Sequence, residues 1–240
     1  MLDFVYGEFA AVYRCMNEDS TMADRLPIPV GGPPGTTEIG IASAEMTSTA
    51  ALHVPRTIVL VGLMGAGKSC VGRRLAARLD LAFVDADREI EEAAGCSIPE
   101  IFARHGEQGF RDGEHRVIMR LLDGPVRILA TGGGAFMDPR TRARVREQGI
   151  SVWLRAELDL LLRRVQRRND RPLLQVDDPR KRLEDLMAQR YPIYAEADLT
   201  VDSDDGPPEM TTEKVLGALA LYLQRPGGQS MGDIGRRVVK

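Results

Sequence analysis

Three glycines, a lysine and a serine recur at fixed spacing in VLVGLMGAGKSCVG, residues 59–72, where Gly62, Gly67, Lys68 and Ser69 satisfy the pattern GxxxxGK[ST] and Gly65 stands inside it. Such a loop works only between a strand and a helix. Its glycines let backbone N–H groups curl inward, and the helix that follows directs its positive end at the same point. Both flanks are legible here. The run TIVLVG (57–62) is apolar and β-branched, and KSCVGRRLAARL carries a helical period. The loop residues Gly65, Ala66, Gly67, Lys68, Ser69 and Cys70 are therefore expected to hold the phosphates of a nucleoside triphosphate. Lys68 would reach the outer phosphates, and the Ser69 hydroxyl would be a ligand of Mg²⁺.

The rest of the chain fits the fold class this loop requires. Further strand candidates are AFVD (82–85), VRILAT (126–131), SVWLR (151–155) and LTVDS (199–203), separated by segments of helical periodicity such as ELDLLLRRVQRR. Apolar strands alternating with helices predict an α/β domain, a parallel sheet covered on both faces. Ligands of such sheets bind beyond the carboxyl ends of the strands, so the chemistry is expected just after each strand. The domain is expected to run from about Arg56 to Gln224. Before it, residues 25–45 concentrate proline and glycine as a linker does, and Leu2, Val5, Phe9, Val12 and Met16 share one face of a short amphipathic helix. This N-terminal extension, residues 1–55, is expected to be flexible and dispensable, with Met46 an alternative start. RPGGQSMGDIGRRVVK (225–240) reads as a polar tail.

Composition removes several function classes. A formal charge of −3 over 240 residues speaks against a general nucleic-acid binder. No apolar run approaches the roughly 20 residues that span a bilayer, and the N-terminus lacks the pattern of a secretory signal, so a cytoplasmic protein is expected. Cys15, Cys70 and Cys96 form no CxxC pair, and His53, His105 and His115 form no ligand pattern. The thiols are read as reduced.

The strand ends carry the remaining candidates. In DAD, Asp85 and Asp87 are read as sharing one face by the strand period of two, one holding a metal through water and the other accepting a hydrogen bond from a hydroxyl. The alternative is that they cap the helix that follows. TGGG places Gly132, Gly133 and Gly134 after the third strand, where a motor-type ATPase would carry a metal-binding acid. Three glycines instead permit close approach of the backbone to something small, or serve as a flexible turn. SIPEIFARHGEQGFRDGE opens with a capping box, Ser97 and Glu100, and reads as a helix broken between Gly106 and Gly109 ahead of Phe110 and Arg111. Finally, Arg163, Arg164, Arg167, Arg168 and Arg171 crowd into nine residues, the last of them inside NDRPLLQVDDP, which reads as a polar loop. That is either a charged helix face or a cationic flap, around 165–182, that closes over phosphates.

Taken in order, GLMGAGKS, FVDADREIE, SIPEIFARHGEQGFRDGE, TGGGAF, RVQRRNDRPLL and RYPIYAEAD resemble the shikimate kinase family, of the nucleoside-monophosphate-kinase-like branch of P-loop proteins. The resemblance covers about Arg56 to Leu223. It implies a five-stranded parallel sheet with helices on both faces and an ATP-dependent phosphorylation of the 3-hydroxyl of shikimate, toward chorismate and the aromatic amino acids. By position, it makes Asp87 the ligand of the shikimate hydroxyls and the base, and Asp85 the support of Mg²⁺. Arg111 and Arg190 would bind the shikimate carboxylate, and Gly133 a hydroxyl. Arg171 in the lid would contact phosphates, and Arg164 would pack near the nucleotide. The basic residue that family members often carry after the last strand is replaced by VDSDDGPPE, which leaves the adenine contacts open. The expected partners are shikimate and ATP, without nucleic acid or membrane, and the expected state is a monomer. The competing readings are another small-molecule kinase of the same architecture, such as a gluconate kinase-like enzyme, and a nucleotide-binding regulator without catalysis.

Overall fold

The structure is a computed structural model that describes residues 52–166 and 178–224. Almost all of the N-terminal extension, the polar tail, Arg167, Arg168, Arg171 and most of the expected lid lie outside the described residues. Those that are described alternate strand and helix. The strands are β1 (Thr57–Val61), β2 (Ala82–Asp85), β3 (Arg127–Ala130), β4 (Gly149–Arg155) and β5 (Leu199–Asp202). The helices are α1 (Lys68–Leu79), α2 (Ala86–Ala94), α3 (Ile98–Leu122), α4 (Pro139–Gln148), α5 (Leu158–Gln166), α6 (Pro179–Tyr194) and α7 (Pro208–Leu223), with a 3₁₀ turn at Ala135–Met137.

All strand pairs are parallel, in the order β2-β3-β1-β4-β5. The five-stranded α/β sheet expected from the sequence is thus present. β1 lies at its centre, with Ile58 opposite Ile128 on one side and Ile150 on the other. All five of its residues are buried, which explains an uninterrupted apolar run where a half-exposed strand would alternate. Helices cover both faces. A Cβ on Gly72 of α1 would meet Leu60, whereas one on Gly149 at the α4–β4 junction would meet Val59. Leu60 and Val59 are adjacent in β1 and so point to opposite faces. Among the described residues no helix is long and apolar enough to cross a membrane.

Three local expectations are corrected. β4 begins at Gly149, two residues before the predicted start. A Cβ there would lie 3.1–3.2 Å from Val145 O, Val59 Cγ2 and Thr57 O, so only glycine lets α4 run straight into the strand. The strand β2 ends at Asp85, and Asp87 lies in the first turn of α2, so the strand period does not relate the two aspartates. Asp85 itself caps that helix, its Oδ1 accepting from Asp87 N at 3.2 Å. In α3 the break is confined to Gly106, whose φ of 67° lies in the left-handed region, and Gly109, Phe110 and Arg111 are helical. The capping box forms as read, with Ser97 N and Oγ donating to Glu100 Oε2 at 2.9 and 2.7 Å.

The packing of α1 on the sheet gives a test. A Cβ on Gly72 would stand 2.5 Å from Phe83 Cε2 and 3.1 Å from Leu60 Cδ1, while Gly217, exposed on α7, has nothing within 4 Å. Alanine at either position gains up to about 1 kcal/mol of helix propensity. At Gly72 overpacking outweighs that gain, and Gly72→Ala is expected to lose about 1–2 kcal/mol. Gly217→Ala is expected to raise Tm. Thermal unfolding of both variants checks the contrast.

Candidate active site

The carboxyl ends of β1, β2 and β3 open into one cleft of about 1020 Å³, lined among others by Lys68, Ser69, Asp85, Asp87, Arg111 and Arg190. Its first wall is the loop between β1 and α1. Gly62, Gly65 and Gly67 have φ of 138°, 83° and 97°, which L side chains rarely adopt. The resulting curl brings Lys68 Nζ back over the loop, where it donates to Gly62 O at 2.7 Å and Leu63 O at 3.0 Å. No acidic residue stands in the first turn of α1, so nothing there offsets the positive end of the helix. Gly65, Gly67, Lys68, Ser69 and Cys70 line the cleft. Ala66 is buried beneath the loop, its N–H donating to Leu63 O at 3.2 Å.

Ser69 and Asp85 form a pair of oxygen donors. Ser69 Oγ donates to Asp85 Oδ2 at 2.8 Å, which links the phosphate loop to the end of β2. Among the described residues no group of three or more His, Cys, Asp and Glu side chains is arranged to hold a metal. Two hard oxygen ligands without a full cage suit Mg²⁺, which keeps waters and takes its other ligands from substrate phosphates. The residues present therefore fit that ion.

The opposite wall is built on Gly132–Gly134. Each glycine admits a different charged side chain into space that a Cβ would fill. A Cβ on Gly132 would lie 2.7 Å from Asp87 Oδ1 and 2.9 Å from Glu114 Oε1, and one on Gly133 would lie 3.2 Å from Arg190 NH1. On Gly134 it would lie 2.5 Å from Arg111 Cζ. None of the three has positive φ, so no left-handed backbone requires glycine there. Gly133 and Gly134 form a turn closed by Ala135 N on Gly132 O at 3.2 Å, and what the missing Cβ atoms add is closeness of approach. Four charged groups from α2, α3 and α6 thus meet on one backbone surface.

Arg111 is held from its own helix. Its NH1 donates to Glu114 Oε2 at 2.6 Å, one turn on, and its guanidinium lies 5.0 Å from the ring centroid of buried Phe110. Glu114 is only 2% exposed, and its Oε1 has no hydrogen-bond partner. Burial pushes its carboxyl above the ordinary range and the Asp87 charge adds to this, while Arg111 opposes it. Arg190 NH1 donates to Gly133 O at 3.0 Å. Arg164, on α5, donates to Gly65 O at 3.3 Å and Ser203 Oγ at 2.9 Å, which joins the phosphate loop to the segment after β5. Ser203, Asp205, Gly206, Pro208 and Thr211 line the cleft on that side.

Comparison with known proteins agrees with this geometry. A family model described as shikimate kinase matches residues 64–220. The chain is 62% identical to a shikimate kinase of Paramagnetospirillum magneticum over 71% of its own length and 88% of the relative. It is 57% identical to one of Rhodopseudomonas palustris, over 78% of this chain and 92% of that one. The chain belongs to the shikimate kinase family. A solved shikimate kinase from Acinetobacter baumannii, in complex with shikimate, is similar with a TM-score of 0.68 and 40% identity, covering 71% of this chain and 96% of that one.

The structure brings Lys68, Ser69, Asp85, Asp87, Arg111, Gly133, Arg164 and Arg190 to the lining of one cleft, and Arg171 lies outside the described residues. Glu114 was quoted in the motif without a role. Its signal was the three-residue spacing from Arg111, which sets two side chains on one helical face. Tyr194, whose hydroxyl also reaches Gly133 O, carries the same kind of signal, a four-residue spacing from Arg190.

The clash at Gly134 is with the far end of a long side chain, so an added methyl displaces the guanidinium and spares the fold. Gly134→Ala is expected to fold with a lowered Tm, because the displaced guanidinium leaves buried Glu114 without its ion-pair partner. It should raise KM for a carboxylate-bearing acceptor about tenfold or more, the loss of a charge-assisted hydrogen bond. Steady-state kinetics beside a melting curve checks both.

Proposed function

We propose that the protein transfers the γ-phosphoryl group of ATP to the 3-hydroxyl of shikimate. The observation that carries this reading is the convergence of Arg111, Arg190 and Asp87 on the glycine surface of a cleft whose other wall is the phosphate loop. Two guanidiniums suit a carboxylate, and a carboxylate beside them suits a hydroxyl. A neutral polyol would give Arg111 and Arg190 nothing to pair with; gluconate carries a carboxylate of its own, so what favours shikimate over it is the family of the chain. Membership of the shikimate kinase family, and a relative solved with shikimate, support the same acceptor.

Phosphoryl transfer asks the protein to position and neutralise. Lys68 and the N-terminus of α1 would hold the β- and γ-phosphates. Ser69 and Asp85 would hold Mg²⁺, which when bound supplies charge neutralisation between phosphate oxygens. Arg111 and Arg190 would fix the acceptor by its carboxylate, with Gly133 offering a backbone contact to a hydroxyl. Asp87 would orient the 3-hydroxyl and accept its proton. Arg164 and the Ser203–Thr211 segment would flank the nucleoside, and Arg171 would close over the phosphates. On this reading the protein acts as a monomer, and thiols read as reduced suit the cytoplasm.

Shikimate-dependent ADP release, measured in a coupled assay, tests the activity directly. Asp87→Asn is nearly isosteric but a far weaker base, and its kcat is expected to fall about 10²–10⁴-fold while ATP still binds. An unchanged kcat with a raised KM for shikimate would instead make Asp87 a positioning group. A separate comparison tests the acceptor. Arg111→Lys keeps a charge beside buried Glu114 but loses the planar fork. Its kcat/KM should fall about tenfold or more with shikimate and little with an analogue whose carboxylate is replaced by hydroxymethyl. Equal losses for the two compounds would make Arg111 structural.

A further inference from the structure

The motif RYPIYAEAD contributes Arg190 to the cleft and leaves a second residue unexplained. Tyr194 stands one turn after Arg190 at the end of α6, on the same helical face, and is 0% exposed. Its hydroxyl donates to Gly133 O, the carbonyl that also accepts from Arg190 NH1 at 3.0 Å. The neighbouring glycine carbonyls have backbone partners of their own, Ala135 N on Gly132 O at 3.2 Å and Met137 N on Gly134 O at 3.0 Å. Gly133 O is thus the point in the run that is held by side chains. With a donor for each of its two lone pairs, that peptide unit has little freedom to rotate. Arg190 and the glycine surface are fixed to one another by the same oxygen.

The phenol is suited to this. Burial pushes its pKa up to about 12, so it remains a donor at any pH at which the protein would work. Its ring is set by Trp153 of β4 and by Tyr191, with centroids at 5.9 and 6.3 Å. Trp153 in turn approaches the phosphate loop, with Cδ1 3.5 Å from where a Cβ on Gly62 would stand. A side chain placed only to fill the core would not need the hydroxyl.

We propose that Tyr194 is a positioning residue of the acceptor site, its hydroxyl locking the Gly133 peptide and the Arg190 guanidinium in the geometry that receives the acceptor carboxylate. This rests on the acceptor reading given above. Tyr191 supplies an internal control. It belongs to the same aromatic cluster, and its hydroxyl also donates to a backbone carbonyl, but that carbonyl is Ala156 O, away from the glycine run.

The test compares Tyr194→Phe and Tyr191→Phe in the full chain, each losing one oxygen and keeping its ring. Both are expected to lower Tm to a similar, small extent. Tyr194→Phe should raise KM for shikimate about tenfold, with kcat and KM for ATP within about twofold. Tyr191→Phe should leave all three constants near the parent values. If Tyr194 acts through Arg190, Tyr194→Phe should add almost nothing to the KM of an Arg190→Ala variant, because two residues on one interaction are not additive. An unchanged KM for shikimate in Tyr194→Phe, equal KM changes in the two phenylalanine variants, or losses that multiply in the double variant would overturn the proposal while shikimate-dependent turnover in the parent stands. Absence of that turnover in the parent would overturn the acceptor reading, and this proposal with it.

Discussion

The approach of charged side chains to the backbone of Gly132–Gly134 sets the rest of the cleft. Asp87, Glu114, Arg111 and Arg190 occupy positions that a methyl group on this surface would obstruct. Removing three Cβ atoms lets two anions and two cations share a small volume. Like charges placed so near one another raise the free energy of the site, and opposite charges interleaved with them offset it. Glu114 illustrates the balance. Alone, a carboxylate so deeply buried would be driven to its neutral form, and the neighbouring Asp87 charge acts in the same direction. The ion pair with Arg111 opposes both and at the same time fixes the guanidinium. A residue that helps hold Arg111 therefore depends on that arginine in return.

Strand order explains how groups remote in sequence come to this surface. β3 lies beside β1, so the glycine run emerges next to the phosphate loop, and a Cβ on Gly133 would be 3.5 Å from Gly62 O. The same Gly62 O receives Lys68 Nζ. The two walls of the cleft thus meet at one pair of glycines. β2 lies one place further out, yet Asp85 reaches Ser69 because it caps α2 with one oxygen and keeps the other for the loop. One carboxylate ends a strand, starts a helix and accepts from the serine of the phosphate loop.

How much of this was legible in the sequence follows from the range of each constraint. The phosphate loop was legible because its requirements are local, namely positive φ at three glycines between a buried strand and a helix. The inner strands β1, β3 and β4 were legible because a parallel sheet buried on both faces needs continuous apolar runs. The more exposed edge strands β2 and β5 were legible because their short β-branched runs alternate with helical segments. The relation of Asp85 to Asp87 was misread because both periods, two and 3.6, are available to DAD, and the capping geometry that decides between them becomes visible only in space. The glycine run could be read as a turn or as a close approach until Asp87, Arg111 and Arg190 were located around it. Each of those side chains lies between 23 and 57 residues along the chain from the glycine it meets, beyond any local pattern. Glu114 and Tyr194 belong to the same class, since each matters through a neighbour that the fold supplies.

The same division bears on the place where the sequence departs from the family pattern. With no basic residue in VDSDDGPPE, the cation found beside that segment is Arg164, which the family pattern already carries and which enters from α5 to bond Ser203 Oγ and Gly65 O. A guanidinium that touches both the phosphate loop and the segment after β5 can supply positive charge there whichever element bears it. Partial burial lowers the Arg164 pKa from its usual value, but a guanidinium starts so high that it stays charged at neutral pH. Two elements on the central and outer strands are therefore joined by one cation from a third. A departure in the linear motif need not be a departure in the electrostatics of the cleft, because the cleft responds to where charge lies and not to which strand end carried it there.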